Sequence, residues 1–338
     1  MTYQEVLENA RKNIGPNCKV CPVCNGLGCG NKIPGPGSKY PGSGAHDNWE
    51  AWQKIRIEMD TIVPSMKIDT STEFLGVKCS VPVIAAPVGA LDMQFNPGDD
   101  IRQYNDGVFK ACAEKGIIGT FGDGLSPDTL PSALESGRKY GASVIPVLNP
   151  LSNDAIKANM DKIKEYSCPA VSVVVDSAGL PHLRNSNSDA GVKSVDDLRN
   201  LCEYAGMPFI VKGVLNARAA EKAVEAGADA IVVSNHGGRV LAYAPATADV
   251  LPEIADAVGG KAKIIVDGGI RNGADIFKAL ALGADMVMIC RPFLISWYGG
   301  GAEGVGMYID RITDELSDVM YMCGTPDIAS IGRENIRL

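Results

Sequence analysis

The chain has 338 residues, a net charge of −8, and a composition that is 46% hydrophobic and 21% charged. That balance excludes intrinsic disorder, and an acidic surplus without a run of Lys and Arg excludes a nucleic-acid surface. No uninterrupted apolar stretch is long enough to cross a bilayer, and the first residues carry Glu5 in place of a signal-peptide core, so a cytoplasmic protein is expected.

Val6, Leu7, Ala10 and Ile14 fall on one side of a short helix over residues 3–14, which Gly15 and Pro16 stop. Cys18, Cys21, Cys24 and Cys29 follow in a glycine-rich segment. Ten cysteines in such a chain suit free thiols and metal ligands better than a disulfide framework, and thiolates spaced by two residues can turn onto one ion or cluster. Residues 21–28 are similar to the C-x-x-C-x-G-x-G zinc repeat of J-domain chaperones, whereas the C-x-x-C-x-x-C opening is similar to a ferredoxin-type iron–sulfur run. Neither pattern is complete, and a loop of packed thiols is the alternative. Residues 31–44 then form a Gly-, Pro- and Ser-rich loop in which Tyr40 is the one aromatic residue. A helix is predicted over residues 47–60, with Trp49, Trp52, Ile55 and Met59 as a core stripe.

Beyond about residue 80 short apolar runs alternate with amphipathic segments, the pattern of a parallel β/α fold. The runs cover residues 81–86, 117–121, 143–148, 170–175, 208–211, 230–233, 263–266 and 285–289. Eight strand–helix units predict a (β/α)8 TIM barrel over residues 76–338 rather than an open sheet. Residues 1–75 form an N-terminal cysteine-rich extension and capping segment. A barrel of this kind gathers its active site at the C-terminal ends of the strands. Asn149, Asp176, Lys212, Ser234 to Arg239, Asp267 to Arg271 and Arg291 all fall there. His236 offers a base near neutral pH, and Arg239 a planar cation that matches a carboxylate. The glycine-bearing turns after the last two strands, with Arg271 and Arg291, predict a phosphorylated ligand.

From Phe209 to Leu294 the motifs Lys212-Gly-Val, Ser234-Asn-His236-Gly-Gly-Arg239, Pro245-Ala-Thr247, Asp267-Gly-Gly-Ile-Arg271 and Arg291-Pro292 stand in one order. This segment resembles the FMN-dependent α-hydroxy-acid oxidase and dehydrogenase family, with weaker similarity back to about residue 40. The resemblance implies FMN as cofactor, oxidation of a small 2-hydroxy acid to the 2-oxo acid, and a homo-oligomer. It implies His236 as the base, paired with Asp176, and Lys212 beside the flavin. Arg239, Tyr40, Asn149 and Arg184 would bind substrate. Val88, Gly89, Gly122, Lys212, Ser234, Asp267, Gly269, Arg271, Cys290 and Arg291 would hold the cofactor. Cys18, Cys21, Cys24 and Cys29 lie outside the resemblance and carry the separate expectation of zinc or an iron–sulfur cluster. Oxygen, a quinone or a protein carrier could each accept the electrons.

Departures from the family pattern bear mainly on the substrate and leave the flavin and base largely intact. Val147 and Asn149 stand where a Gln and a Tyr are usual, Arg184 is displaced by about one position, and Cys290 replaces the glycine before Arg291. Alternative readings are another FMN barrel of the type 2 isopentenyl diphosphate isomerase kind, or a flavin-bearing redox or metal sensor. The polar segment between Asp176 and Lys193 reads as a lid over the mouth.

Overall fold

A computed structural model describes residues 1–29, 44–124, 126–180, 183, 185 and 189–338. The eight apolar runs become eight parallel strands: β1 (Val83–Ala85), β2 (Ile118–Gly122), β3 (Val144–Leu148), β4 (Val171–Val174), β5 (Phe209–Val214), β6 (Ala230–Val233), β7 (Lys263–Asp267) and β8 (Met286–Ile289). Each pairs with its sequence neighbours, and β8 returns to β1, so the sheet closes into a barrel. Strands buried on both faces read as near-continuous apolar runs, which is why all eight are visible in the sequence.

Two helices precede the barrel, α1 (Tyr3–Asn13) and α2 (Gly44–Lys54). The strands are followed in turn by α3 (Ile101–Lys115), α4 (Thr129–Tyr140), α5 (Asn153–Ile163), α6 (Val195–Ala205), α7 (Ala217–Glu225), α8 (Thr247–Val258), α9 (Gly273–Ala281) and α10 (Arg291–Met322). None of the described helices is long and apolar enough to cross a membrane. One apolar layer lies between strands and helices; a second fills the barrel with Ile84, Ile118, Ile145, Ile210, Val232 and Ile265. Phe74 and Cys79, from the antiparallel pair Thr72–Phe74 and Val77–Cys79 just before β1, pack into the interior cluster and close the barrel's N-terminal end.

α1 begins with a capping box, Thr2 bound to Glu5, and lies against α10 so closely that a Cβ at Gly299 would stand 2.0 Å from the Val6 carbonyl oxygen. The second helix ends sooner than its stripe predicts. It stops at Lys54, Arg56 and Ile57 pair antiparallel with Arg337 and Ile336, and Met59 is 68% exposed. The backbone groups that would have continued the helix are taken by the chain's last strand, a long-range competition that periodicity does not register.

Candidate active site

Lys212 is the pivot of the barrel's C-terminal end. β5 turns it inward to 4% exposure, and a buried ammonium needs partners. Its Nζ donates to Ser234 Oγ at 2.7 Å and to Asp267 Oδ2, while Ser234 Oγ donates to the same carboxylate oxygen at 2.9 Å. The ends of β5, β6 and β7 are therefore tied through one cation. Immediately after Lys212 the strand bulges at Gly213, where φ is +99° and a Cβ would meet the Asp176 side chain at 2.6 Å. Only glycine relieves both conditions.

That approach positions Asp176 against His236. His236 Nδ1 lies 3.0 Å from Asp176 Oδ1, and Arg239 Nη2 lies 3.1 Å from His236 Nε2. Guanidinium can only donate, so Nε2 accepts and the ring is neutral, with its proton on Nδ1 directed to Asp176. Burial pushes the imidazole below its ordinary value, and Arg239 and Lys212 reinforce this against the pull of Asp176. For Asp176, burial alone would raise the carboxyl, but the His236 ring, Lys212 and Arg239 outweigh it and hold the group below the usual carboxylate range. The turn is held in an unusual conformation: His236 has φ +57°, and its backbone N–H donates to Ser234 Oγ at 3.1 Å.

These groups face a cavity of about 1310 Å3, counting its open mouth. At one end lie Gly268, Gly269, Arg271, Cys290 and Arg291. Arg271 Nη2 and Arg291 Nη1 are buried without a hydrogen-bond partner among the described residues, two donors that a phosphate dianion would satisfy. α10 starts at Arg291 and adds its positive end. Val88, Gly89 and Gly122 also line the cavity, and a Cβ on Gly122 would stand 3.4 Å from the Gly89 Cα, so bare backbone leaves space for a flat ring. Asp267 Oδ1 is also buried without a partner, a further acceptor for a polyhydroxy chain. The residues thus fit FMN.

The structure brings His236, Lys212, Arg239 and Asn149 to this cavity, with Ser234 and Asp176 one hydrogen bond behind it. Tyr40 and Arg184 lie outside the described residues, as does much of the segment read as a lid. Two buried units escape the sequence reading. Asp123 accepts from Asn149 N at 3.1 Å and from its Nδ2 at 2.6 Å, while Ser177 Oγ donates to Asn149 Oδ1 at 3.1 Å. Burial pushes the Asp123 carboxyl up to about 6. Asn48 and Asn235 exchange side-chain amide bonds at 2.7 and 2.8 Å, and Trp52 Nε1 donates to the Gly268 carbonyl at 2.8 Å. α2 therefore supports the cradle from behind, and its Asn48, inside a stripe of tryptophans, was the available signal.

The metal centre expected at Cys18, Cys21, Cys24 and Cys29 finds no support in the structure. Among the described residues no group of three or more His, Cys, Asp or Glu side chains is arranged to hold a metal ion. The thiols share a small cavity but face different partners. A Cβ on Gly28 would stand 2.6 Å from Cys21 Sγ, Cys29 Sγ lies 3.6 Å from the Gly26 carbonyl oxygen, and Arg271 Nε donates to the Cys24 backbone carbonyl at 2.9 Å. Burial would raise Cys24; Arg271 and Arg291 more than offset it and leave the thiol below its ordinary value.

A closed eight-stranded barrel with a phosphate cradle at its C-terminal mouth and a neutral histidine beside it defines the class: a flavin-dependent barrel oxidoreductase. The chain belongs to the FMN-dependent dehydrogenase family, whose model matches residues 37–194 and 182–338, so the cysteine segment precedes the match. It is 32% identical over 324 residues to peroxisomal (S)-2-hydroxyacid oxidase GLO3 of Arabidopsis thaliana, covering 86% of this chain and 87% of that protein. Against L-lactate oxidase of Lactobacillus jensenii identity is 50% over 141 residues, which is 42% of this chain and 35% of that protein. Among solved structures, the lactate oxidase of Pediococcus acidilactici superposes with a TM-score of 0.80 at 27% identity, covering 98% of this chain and 93% of the other.

Proposed function

We propose that this chain oxidises a small 2-hydroxy acid to the 2-oxo acid, with His236 as the base. The observation that carries this reading is the neutral imidazole held between Asp176 and Arg239 at the cavity wall. In the resting site Arg239 occupies the Nε2 lone pair. A substrate carboxylate would draw the guanidinium onto itself and free Nε2 to take the substrate's proton, so that binding and activation are one exchange of partners. Asp176, already an acceptor at Nδ1, then stabilises the imidazolium.

Arg271 and Arg291 would hold the FMN phosphate, with Gly269 and Cys290 beside them; Ser234 and Asp267 would serve the ribityl chain, and Val88, Gly89 and Gly122 the ring. When bound, FMN supplies the two-electron acceptor that the oxidation requires. Lys212 fixes a positive charge at the cavity floor, where negative charge arriving with those electrons is stabilised. Arg239 binds the carboxylate, with Tyr40 and Arg184 as further contacts, and Asn149 faces the substrate from β3. Val147, Leu180 and Leu183 line the same cavity and favour a substrate with a small apolar side chain.

The test is direct. Purified protein should be yellow, and anaerobic addition of 2-hydroxy acids should bleach it. His236→Ala should keep the colour and lose about 10²–10⁴-fold in kcat. A colourless protein with no affinity for added FMN defeats the flavin reading, and unchanged turnover without His236 defeats the base.

A further inference from the structure

The cysteine segment is built against the phosphate cradle. Arg271 Nε donates to the Cys24 carbonyl oxygen at 2.9 Å, and His46 Nδ1 donates to the next carbonyl, that of Asn25, at 2.9 Å. Gly26 lies so close to α2 that a Cβ there would meet the His46 backbone nitrogen at 2.9 Å. Cys18, Cys21, Cys24 and Cys29 line one small cavity together with Arg291, the first residue of α10. None of the four is in a disulfide and none is fully buried. Val20, between the first two, is held at φ +45°, a conformation that a β-branched residue adopts only under constraint.

Four free thiols around one cavity, with the Arg291 guanidinium in the same lining, is an arrangement for thiol oxidation. We propose that Cys18–Cys29 is a thiol-oxidation site that takes a peroxide as oxidant, and that its disulfide pulls the Cys24 carbonyl off Arg271 and loosens the phosphate end of the flavin site. The second half rests on the flavin reading above.

The chemistry balances. The Cys24 thiolate attacks one peroxide oxygen, the O–O bond breaks, and the departing hydroxide takes a proton and leaves as water. The resulting sulfenic acid is attacked by one of the three neighbouring thiols; the S–S bond forms as a second water departs. Two thiols lose two electrons to hydrogen peroxide, giving a disulfide and two waters. A disulfide demands Cα atoms about 4.4–6.8 Å apart and a fixed dihedral. A loop pinned by two adjacent carbonyls and strained at Val20 would give up those pins to meet that geometry.

The experiment uses flavin-loaded protein without substrate, treated with graded hydrogen peroxide. Disulfides are mapped by mass spectrometry of the peptides containing residues 18–29, and FMN retention is read from the fluorescence of flavin passing an ultrafilter. The expected result is a disulfide that includes Cys24, FMN affinity at least fivefold weaker, and recovery of both with dithiothreitol. Cys24→Ser, provided it loads flavin, should lose the disulfide and the peroxide-dependent release together. The proposal is overturned if no disulfide includes Cys24, if the oxidised and reduced forms hold FMN equally, if Cys24→Ser releases flavin as readily as the parent, or if a stoichiometric metal ion must be removed before the thiols react. Failure of the flavin reading is distinguishable, because it shows as missing flavin absorbance before any oxidant is added.

Discussion

His236 is neutral at rest because Arg239 already donates to Nε2, and burial holds its pKa below the ordinary value of about 6.5. As the proposed base, His236 is lost only when it is protonated, so kcat/KM should fall as pH drops through a value below that figure and stay flat above it. Asp176→Asn removes the charge that pulls the imidazole upward, so the acid limb should move to still lower pH while kcat falls about 10²–10⁴-fold; a limb that moved upward would contradict the pairing. Asp123 makes the opposite demand. Its carboxyl is raised to about 6 from an ordinary value of about 3.9. Stability from this group is therefore present below the ordinary value and lost as pH rises through about 6. Asp123→Asn carries no charge, so relative to the parent its melting temperature should be better at pH 8 than at pH 5, by the equivalent of about 1–1.5 kcal/mol. His236 and Arg239 were legible because their residue types announce their chemistry. Asp123 was not, because its partner Asn149 stands 26 positions away and only the fold joins them.

Among the elements, the bulge in β5 does most to set the site. The apolar run over residues 208–211 marked the strand, but the strand continues through Lys212 to Val214, and its irregularity falls at Gly213. Gly213→Ala would force a side chain to φ +99° and against Asp176 at 2.6 Å. The strand pairs on both sides with β4 and β6, so the barrel should persist while Asp176 shifts away from His236. The expected outcome is a far-UV circular dichroism spectrum like the parent's, with kcat reduced at least tenfold and KM changed less. α2 makes a parallel case. Its two tryptophans were legible as a packing stripe, whereas the hydrogen bond from Trp52 to the Gly268 carbonyl depends on a partner 216 residues away. Trp52→Phe keeps most of the packing and removes that bond, a loss of about 0.5–1.5 kcal/mol. FMN affinity should weaken about 2–12-fold, measured by fluorescence titration.

Across the whole molecule, the N-terminal segment is stitched to the barrel at points the sequence does not mark. The chain's start lies on α10 through α1, and the stretch after α2 meets the chain's end where Arg56 and Ile57 pair with Arg337 and Ile336. Eight strands in order were readable because each is a local apolar run; these closures were not, since they join segments about 280–300 residues apart. The α1–α10 seam gives the last prediction. α10 carries Arg291 at its start and Gly299 two turns on, where Val6 leaves no room for a side chain. On the same face Tyr3 and Ser296 lie within hydrogen-bond distance at 3.3 Å. Gly299→Val should push α1 off α10 at a cost of about 1–3 kcal/mol in overpacking, and the displacement should reach the helix start that lines the proposed phosphate site. Melting temperature and FMN affinity should therefore fall together, with the barrel's circular dichroism retained. If the variant melts lower but holds FMN as tightly as the parent, the seam stabilises the fold without supporting the cradle.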